Sequence, residues 1–184
     1  KTAFIQAQTG LGKTYGYLLP ALSMKSEGGI LVSVPTKILQ NQIMQEEGRR
    51  LKDTFHIDIH SLKGPQNYLK LDNFYKILHR PESNRLFTRF KMQVLIWLTE
   101  TETGDLDEIG QLYRYQHFLA ELVHDGKLSK KSLFISEDFW QRSQDRAKSS
   151  HLLLTNHAYL VTRLEDAPEF VNNRLVIIDE AQKM

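Results

Sequence analysis

A glycine-rich loop near the start of the chain has the residue types and spacing needed to hold a triphosphate. The segment AQTGLGKT at 7–14 fits the pattern G-x-x-x-x-G-K-[ST], with alanine in place of the first glycine. Its two glycines permit backbone turns that other residues resist, so successive N–H groups can point inward and surround an anion. All eight residues are predicted to bind a nucleotide: Ala7, Gln8, Thr9, Gly10, Leu11, Gly12, Lys13 and Thr14.

The last two residues of this loop have distinct predicted roles. Lys13 is expected to reach the β- and γ-phosphates and therefore to assist catalysis as well as binding. The Thr14 hydroxyl is expected to ligate Mg²⁺. A helix predicted to follow the loop would present its positive N-terminus to the phosphates. The alternative is a glycine-rich turn that contains Gly-Lys-Thr by coincidence.

A pair of acids near the other end of the chain supports the first motif. Asp179 and Glu180 directly follow four apolar residues, LVII at 175–178. In an open α/β sheet, ligands bind at the carboxyl ends of the strands. Asp179 would hold the Mg²⁺ through water, and Glu180 would orient and activate the attacking water. The alternative is two exposed acids at the end of a strand.

Strand and helix patterns alternate around both motifs. Apolar or alternating runs predict strands at 3–8, 30–34, 55–62, 151–155 and 175–178. Helices are predicted over 13–22, 36–51 and 156–164, the second of them capped by Thr36. This order predicts an α/β domain with a mainly parallel sheet between helices.

The middle of the chain has a different pattern. From residue 63 to residue 150 the β-branched runs disappear and helical periodicity takes over. In that region Leu86, Phe90, Val94 and Trp97 are predicted to share one helical face, with Phe87 and Leu95 beside them, and Ser136 is predicted to cap a later helix. We therefore divide the chain into a first α/β part at 1–62, a helical insertion at 63–150 and a second α/β part at 151–184.

Composition narrows the possible classes of protein. The 184 residues are 41% hydrophobic with a net charge of +2, so a normal core is possible and no strong global attraction to nucleic acid is expected. There are 0 cysteines, which excludes disulfides and thiolate-held clusters within the chain. No apolar run approaches the roughly 18 residues of a membrane helix, so we expect no membrane partner and a cytoplasmic location. The chain starts at Lys1 and stops directly after the acidic motif, so we expect it to be a piece of a larger protein.

Five motifs resemble those of the superfamily 2 helicases, and within them the DinG/XPD branch. The loop at 7–14 and the sequence DEAQ at 179–182 are similar to the two nucleotide motifs of the superfamily. Three further segments are similar to motif Ia, to the K-G-x-x-N-Y-L signature and to the V-N-H-x-L segment of that branch: SVPTK at 33–37, KGPQNYL at 63–69 and TNHAYL at 155–160. The motifs occur in the order of the family.

The resemblance implies a RecA-like ATP-binding domain with an iron–sulfur domain inserted where the helical insertion lies. The first cluster-binding cysteine of the family follows directly on K-G-x-x-N-Y-L, and this chain has Lys70 there. We therefore expect no iron–sulfur cluster. Relatives without the cluster resemble bacterial DinG-type proteins that carry an exonuclease domain upstream, so such a domain is a possible partner.

The resemblance also implies partners for the nucleotide site. A second RecA-like domain in the full-length chain would supply an arginine finger, worth about 10³–10⁵ in turnover. The expected cofactors are ATP and Mg²⁺, and the expected substrate is nucleic acid, in particular single-stranded DNA. Gln182 replaces the histidine of the DEAH form and would couple the state of the ATP to the neighbouring domain.

Four residues are candidates for nucleic-acid contact. Thr36 and Lys37 resemble residues that touch the DNA backbone in the family, and the alternative is a helix cap and a solvated lysine. Asn156 and His157 would line the nucleic-acid path or couple it to the ATP site. Their alternative is a helix-capping asparagine beside a hydrogen-bonded histidine.

Two weaker patterns remain open. A basic run with interleaved aromatic residues in the insertion suits either single-stranded nucleic acid or a solvated helix over a packed core: Lys76, Arg80, Arg85, Arg89 and Lys91 with Phe74, Tyr75, Phe87 and Phe90. His56 and His60 are four apart in a strand pattern, too far to share one ion easily.

The motifs and the resemblance together predict the ATP-binding motor domain of a DinG-like, ATP-dependent DNA helicase. One alternative is an ATP-binding module that regulates an exonuclease without productive unwinding. Another is a nucleoside triphosphatase unrelated to nucleic acid.

Overall fold

The computed structural model describes residues 2–6, 12–24, 28–81, 84–109 and 116–184. The contacts divide the chain into two compact units. Lys1–Lys63 and Ala147–Met184 form the first, which we call the sheet unit, and Gly64–Arg146 form the second, which we call the inserted unit. The predicted borders at 62/63 and 150/151 lie within four residues of this division.

A four-stranded, wholly parallel sheet organises the sheet unit. The strands are β1 (Ile30–Val34), β2 (Ile59–Ser61), β3 (Leu152–Asn156) and β4 (Leu175–Ile178). Their order across the sheet is β2-β3-β1-β4, with Ile30 opposite both Leu152 and Leu175. This confirms the α/β class, and it brings the carboxyl ends of β1, β3 and β4 to one edge of the sheet.

Helices cover both faces of this sheet, which explains why its central strands are apolar without alternation. They are α1 (Lys13–Ser23), α2 (Lys37–Ile43), a π-helical turn (Met44–Gly48), α3 (Arg49–Phe55) and α8 (His157–Asp166). One face of β1 and β3 packs with Leu18 of α1 and Leu51 of α3. The other face packs with Tyr159 and Leu160 of α8.

The inserted unit is mainly helical. It contains α4 (Leu71–His79), α5 (Arg85–Leu98), α6 (Gln116–Leu119) and most of α7 (Phe139–Ser149), with 3-10 turns at Pro65–Asn67 and Leu106–Glu108. Its own core is built from buried aromatic and aliphatic side chains: Tyr68, Leu69, Phe74, Ile77, Phe87, Phe90, Val94, Trp97, Leu106, Ile109, Leu122 and Phe139.

Two strand predictions need correction. Residues 3–6 form no strand, and Phe4 and Ile5 are more than 90% exposed because no described strand pairs with them. Residues 7–8 of that predicted strand lie outside the described part. The strand predicted at 55–62 is only Ile59–Ser61, because α3 continues to Phe55 and His56 ends it in a left-handed conformation (φ 52°). His56 and His60 therefore do not share one strand face.

Two details of the helical predictions also differ. On α5, Phe87, Phe90, Val94 and Trp97 are buried as expected, but Leu86 and Leu95 are 45% and 41% exposed. The cap of α7 is Asp138, whose Oδ1 accepts the N–H of Gln141, and not Ser136. α6 begins at Gln116, and residues 110–115 before it lie outside the described part of the chain.

Within the described residues, no helix is both long enough and apolar enough to cross a bilayer.

Candidate functional site

The start of α1 is formed by the last residues of the glycine-rich motif. Gly12 precedes the helix in a left-handed conformation (φ 65°), which residues with a side chain rarely adopt, and its carbonyl accepts the N–H of Gly16 at 3.1 Å. Lys13 is the first residue of the helix, so its side chain lies beside free N–H groups. Residues 7–11 of the predicted loop lie outside the described part of the chain.

The two acids stand at the carboxyl end of β4, beside the end of β1. The Asp179 N–H donates to the Ser33 carbonyl at 2.9 Å, which continues the sheet pairing by one residue. Glu180 then adopts a left-handed conformation (φ 50°) that turns the chain into the 3-10 turn Ala181–Lys183. The sharp turn ends the strand directly at the acid pair.

The lysine of the first motif and the glutamate of the second face each other. The Lys13 Nζ lies 3.8 Å from Glu180 Oε1, and the Lys183 Nζ lies 2.6 Å from Glu180 Oε2. The hydrogen bond from Lys183, with a smaller contribution from Lys13, holds the pKa of Glu180 below its ordinary value. The fold thus brings together two motifs that are more than 160 positions apart in the sequence.

Tyr17 joins the same group, and the sequence analysis missed it. Its hydroxyl donates to Asp179 Oδ2 at 3.3 Å. Burial, followed by the negative charge of Asp179, raises the pKa of Tyr17 well above its ordinary value, so the phenol keeps its proton. The position three residues after Thr14, one helical turn on, was the available signal.

The oxygen groups at this edge suit a magnesium ion. The Thr14 hydroxyl stands in the first turn of α1, and the Asp179 carboxylate directly follows β4. Mg²⁺ prefers such hard oxygen ligands, and in nucleotide sites it takes only one or two from the protein while phosphates and water supply the rest. Among the described residues, no cluster of three or more His, Cys, Asp or Glu side chains capable of holding an ion occurs.

A buried polar cluster lies at the ends of β1 and β3. The Ser33 hydroxyl is hydrogen-bonded to His157 Nδ1 at 2.8 Å. The Asn156 side chain caps α8 by accepting the Tyr159 N–H, and it donates to Gln40 Oε1 at 3.2 Å. Asn156 and His157 are 7% and 4% exposed, and His157 Nε2 has no partner among the described groups. Ser33 therefore contacts both the acid motif, through its carbonyl, and His157, through its hydroxyl.

The remaining predicted residues of the sheet unit are exposed. The Thr36 hydroxyl accepts the Leu39 N–H and so caps α2, as the sequence predicts. Lys37 follows in the first turn of α2, and Gln182 lies in the exposed 3-10 turn after Glu180. Each of these three side chains is accessible to a partner.

The basic run of the inserted unit is tied to that unit's own packing. Phe74, Phe87 and Phe90 belong to its core, and Tyr75 is the exposed aromatic of the set, at 42%. Arg80 pairs with Glu121 at 2.9 Å and lies over the Phe87 ring. This arrangement matches a helix surface over a packed core better than a row of rings for stacking bases.

Lys70, at the position of the expected first cysteine, forms a polar contact within the inserted unit. Its Nζ donates to Asp125 Oδ1 at 2.5 Å and to the Lys127 carbonyl at 3.1 Å. The Lys70 hydrogen bond lowers the pKa of Asp125 to about 2. His124 directly precedes Asp125, and its Nε2 donates to Asp138 Oδ2 at 3.1 Å inside the core of the inserted unit.

A comparison with known families identifies the class of this α/β domain. The family model described as DEAD/DEAH box helicase matches residues 1–108. Since that match covers more than half of the 184 residues, the chain belongs to the DEAD/DEAH box helicase family.

Within that family the chain is DinG-like. It is 35% identical over 193 aligned positions to the "3'-5' exonuclease DinG" of Bacillus subtilis (strain 168), with 97% of this chain and 20% of the relative covered. The protein of the same name from Staphylococcus saprophyticus is 32% identical over 190 positions, covering 99% and 20%. The one from Staphylococcus aureus (strain USA300) is 27% identical over 186 positions. The chain spans about a fifth of the length of these relatives.

Proposed function

We propose that the chain is the ATP-binding motor domain of a DinG-like, ATP-dependent DNA helicase. In this proposal it hydrolyses ATP with Mg²⁺ when a second RecA-like domain completes the site. The observation that carries it is the approach of Lys13 to Glu180, at 3.8 Å, on the sheet edge where α/β proteins bind ligands.

Lys13 and Glu180 would each take a different partner when a nucleotide binds. Lys13 would bind the β- and γ-phosphates, which carry more negative charge than a single carboxylate and so would replace Glu180 as its partner. Glu180 would then be free to orient the attacking water and accept its proton. Thr14 and Asp179 would hold Mg²⁺, which supplies neutralisation of the charge that develops on the phosphate oxygens.

The nucleic-acid path would run along the carboxyl edge of the sheet. Thr36 and Lys37 are exposed there and would bind the DNA backbone, since such contacts position a strand without reading its sequence. Asn156 and His157 are almost fully buried, which favours coupling over direct contact with DNA. Ser33 would transmit that coupling, because its two polar groups reach His157 and Asp179.

Hydrolysis by the full-length gene product tests the proposal. Single-stranded DNA should stimulate ATP hydrolysis, and Glu180→Gln should lower the rate about 10²- to 10⁴-fold while nucleotide still binds. A matched control is Glu46→Gln, which removes an acid from the π-helical turn of the same unit. The proposal would be contradicted if DNA did not stimulate ATP hydrolysis, or if Glu180→Gln did not lower the rate.

The name of the relatives favours one alternative. They are called 3'-5' exonucleases, so the chain could be an ATP-binding module that regulates a nuclease without unwinding DNA. A strand-displacement assay separates the two functions. Nuclease activity that responds to ATP, with no displaced strand at saturating ATP, would favour the regulatory module.

A further inference from the structure

Tyr17 contacts one of the two oxygen ligands of the proposed magnesium site. Its hydroxyl donates to Asp179 Oδ2 at 3.3 Å. A phenol has one proton, and here it goes to the carboxylate. The result is a hydrogen bond that connects α1 to the acid motif.

This hydrogen bond orients the carboxylate in a way that suits a cation. A carboxylate has two oxygens, so the single bond from Tyr17 leaves lone pairs for a metal ion. The Asp179 backbone is fixed by its bond to Ser33, and the bond from Tyr17 fixes the rotation of the carboxylate as well. Without it, the side chain at the end of the edge strand β4 would have to lose its rotational freedom on binding the ion.

The packing of Tyr17 shows that the ring has a fixed position. It is partly buried and packs against the core between α1 and the sheet. Phenylalanine would fill that core equally well, so packing alone does not require the hydroxyl. Tyr15, two residues earlier in α1, packs against the same core and offers a matched comparison.

We propose that Tyr17 is a positioning residue that sets Asp179 in place for Mg²⁺. The proposal rests on the function proposed above. It assigns to the Tyr17 hydroxyl a role in the ion's affinity, separate from nucleotide affinity and from folding.

The test measures binding of a fluorescent, non-hydrolysable ATP analogue to the full-length gene product by anisotropy. Each variant is titrated with the analogue in EDTA and across a Mg²⁺ series. For Tyr17→Phe we expect unchanged affinity in EDTA and an apparent Mg²⁺ affinity about three- to tenfold lower, the effect of losing one hydrogen bond. Tyr15→Phe should match the wild type in both conditions.

A double-mutant cycle sharpens the assignment. In an Asp179→Asn background the carboxylate is already absent, so Tyr17→Phe should have less effect on the Mg²⁺ series than it has in the wild type. Equal effects in both backgrounds would overturn the role assigned to the bond with Asp179.

The remaining outcomes separate this inference from the proposed function. A Tyr17→Phe protein with wild-type Mg²⁺ dependence would overturn the inference and leave the function standing. An equal loss in EDTA and in Mg²⁺ would also overturn it, because the hydroxyl would then serve the fold of the site alone. Failure of the wild-type protein to bind the analogue at all would instead refute the proposed function.

Discussion

The sheet unit and the inserted unit use their polar residues in different ways. In the sheet unit, Lys13, Asp179 and Glu180 meet at an edge of the sheet and remain partly accessible. In the inserted unit, His124 and Asp138 pair inside the core. In this molecule, charged side chains at the ends of strands are the predicted ligand site. Charged side chains surrounded by helices serve packing or helix capping instead.

The largest expected effect tests the packing of the inserted unit. Phe90 is fully buried, so Phe90→Ala should lower the local free energy of unfolding by about 3–5 kcal/mol. The exposed neighbour on the same helix, Met92→Ala, should cost less than about 0.5 kcal/mol. Hydrogen exchange of peptides within 64–109 in the full-length gene product gives both values. If Phe90→Ala weakened nucleotide binding as much as it opened this unit, the contrast between the units would fail.

The next effect belongs to the sheet unit. Lys13→Ala removes a charged donor to the phosphates and should weaken nucleotide binding about 10- to 100-fold. Anisotropy of a bound fluorescent nucleotide measures the change, and Lys52→Ala, on the exposed side of α3, is the control. Hydrogen exchange in the inserted unit should be unaltered. A Lys13→Ala protein with normal affinity would remove Lys13 from the site.

A smaller effect concerns acid stability of the inserted unit. Burial raises the pKa of Asp138, but hydrogen bonds from His124 and from the Gln141 N–H outweigh it and leave the pKa below its ordinary value. A carboxyl with a lowered folded pKa stabilises the fold above its unfolded pKa of about 4, and this stabilisation is lost as pH falls further. Protection of peptides around 134–146 should therefore decrease below about pH 4.

Asp138→Asn is the variant that tests this assignment. Asparagine keeps an oxygen that can cap α7 but does not titrate, so the acid-dependent decrease should become shallower. Glu137→Gln changes an exposed neighbouring acid and should leave the decrease as it was. Identical pH curves for Asp138→Asn and the wild type would assign the acid sensitivity to other groups.

The smallest effect concerns backbone conformation at the end of α3. His56 adopts a left-handed conformation that glycine adopts without strain. His56→Gly should stabilise α3 by less than about 1 kcal/mol, since glycine also gains entropy in the unfolded chain. Exchange rates of peptides around 49–58 measure this, and Lys52→Gly, inside the helix, should destabilise it by a similar amount. Faster exchange in His56→Gly would show that the histidine ring contributes more than the strain costs.

The sequence predicts those parts of the sheet unit in which an apolar run lies next to a motif. β1, β3 and β4 appear as apolar runs, and Lys13 and Glu180 follow from spacing alone, because a parallel sheet collects the ends of its strands at one edge. Residues 3–6 were mispredicted because an apolar run forms a strand only where a neighbour pairs with it. The sequence does not indicate Tyr17, because its role depends on a hydrogen bond to Asp179. No local sequence pattern predicts that contact.

The inserted unit was predicted less well for a related reason. Its helices were expected, but on α5 the alternatives Leu86 and Phe87 are adjacent, and only packing decides which one is buried. Similarly, Ser136 and Asp138 are both good capping residues, and the choice between them depends on where α7 begins. Patterns locate an amphipathic helix more reliably than they fix its rotation or its first residue.

The strand order β2-β3-β1-β4 has a consequence for how the chain folds during synthesis. β1 and β2 leave the ribosome early, yet they are not neighbours, since β3 lies between them. Neither can pair until residues 152–156 have been made, whereas the inserted unit has all of its core residues available before then. Because domains fold as units during synthesis, the inserted unit should fold first, while β1 and β2 remain unpaired. During that interval the mainly apolar β1 is exposed and makes the nascent chain prone to aggregation.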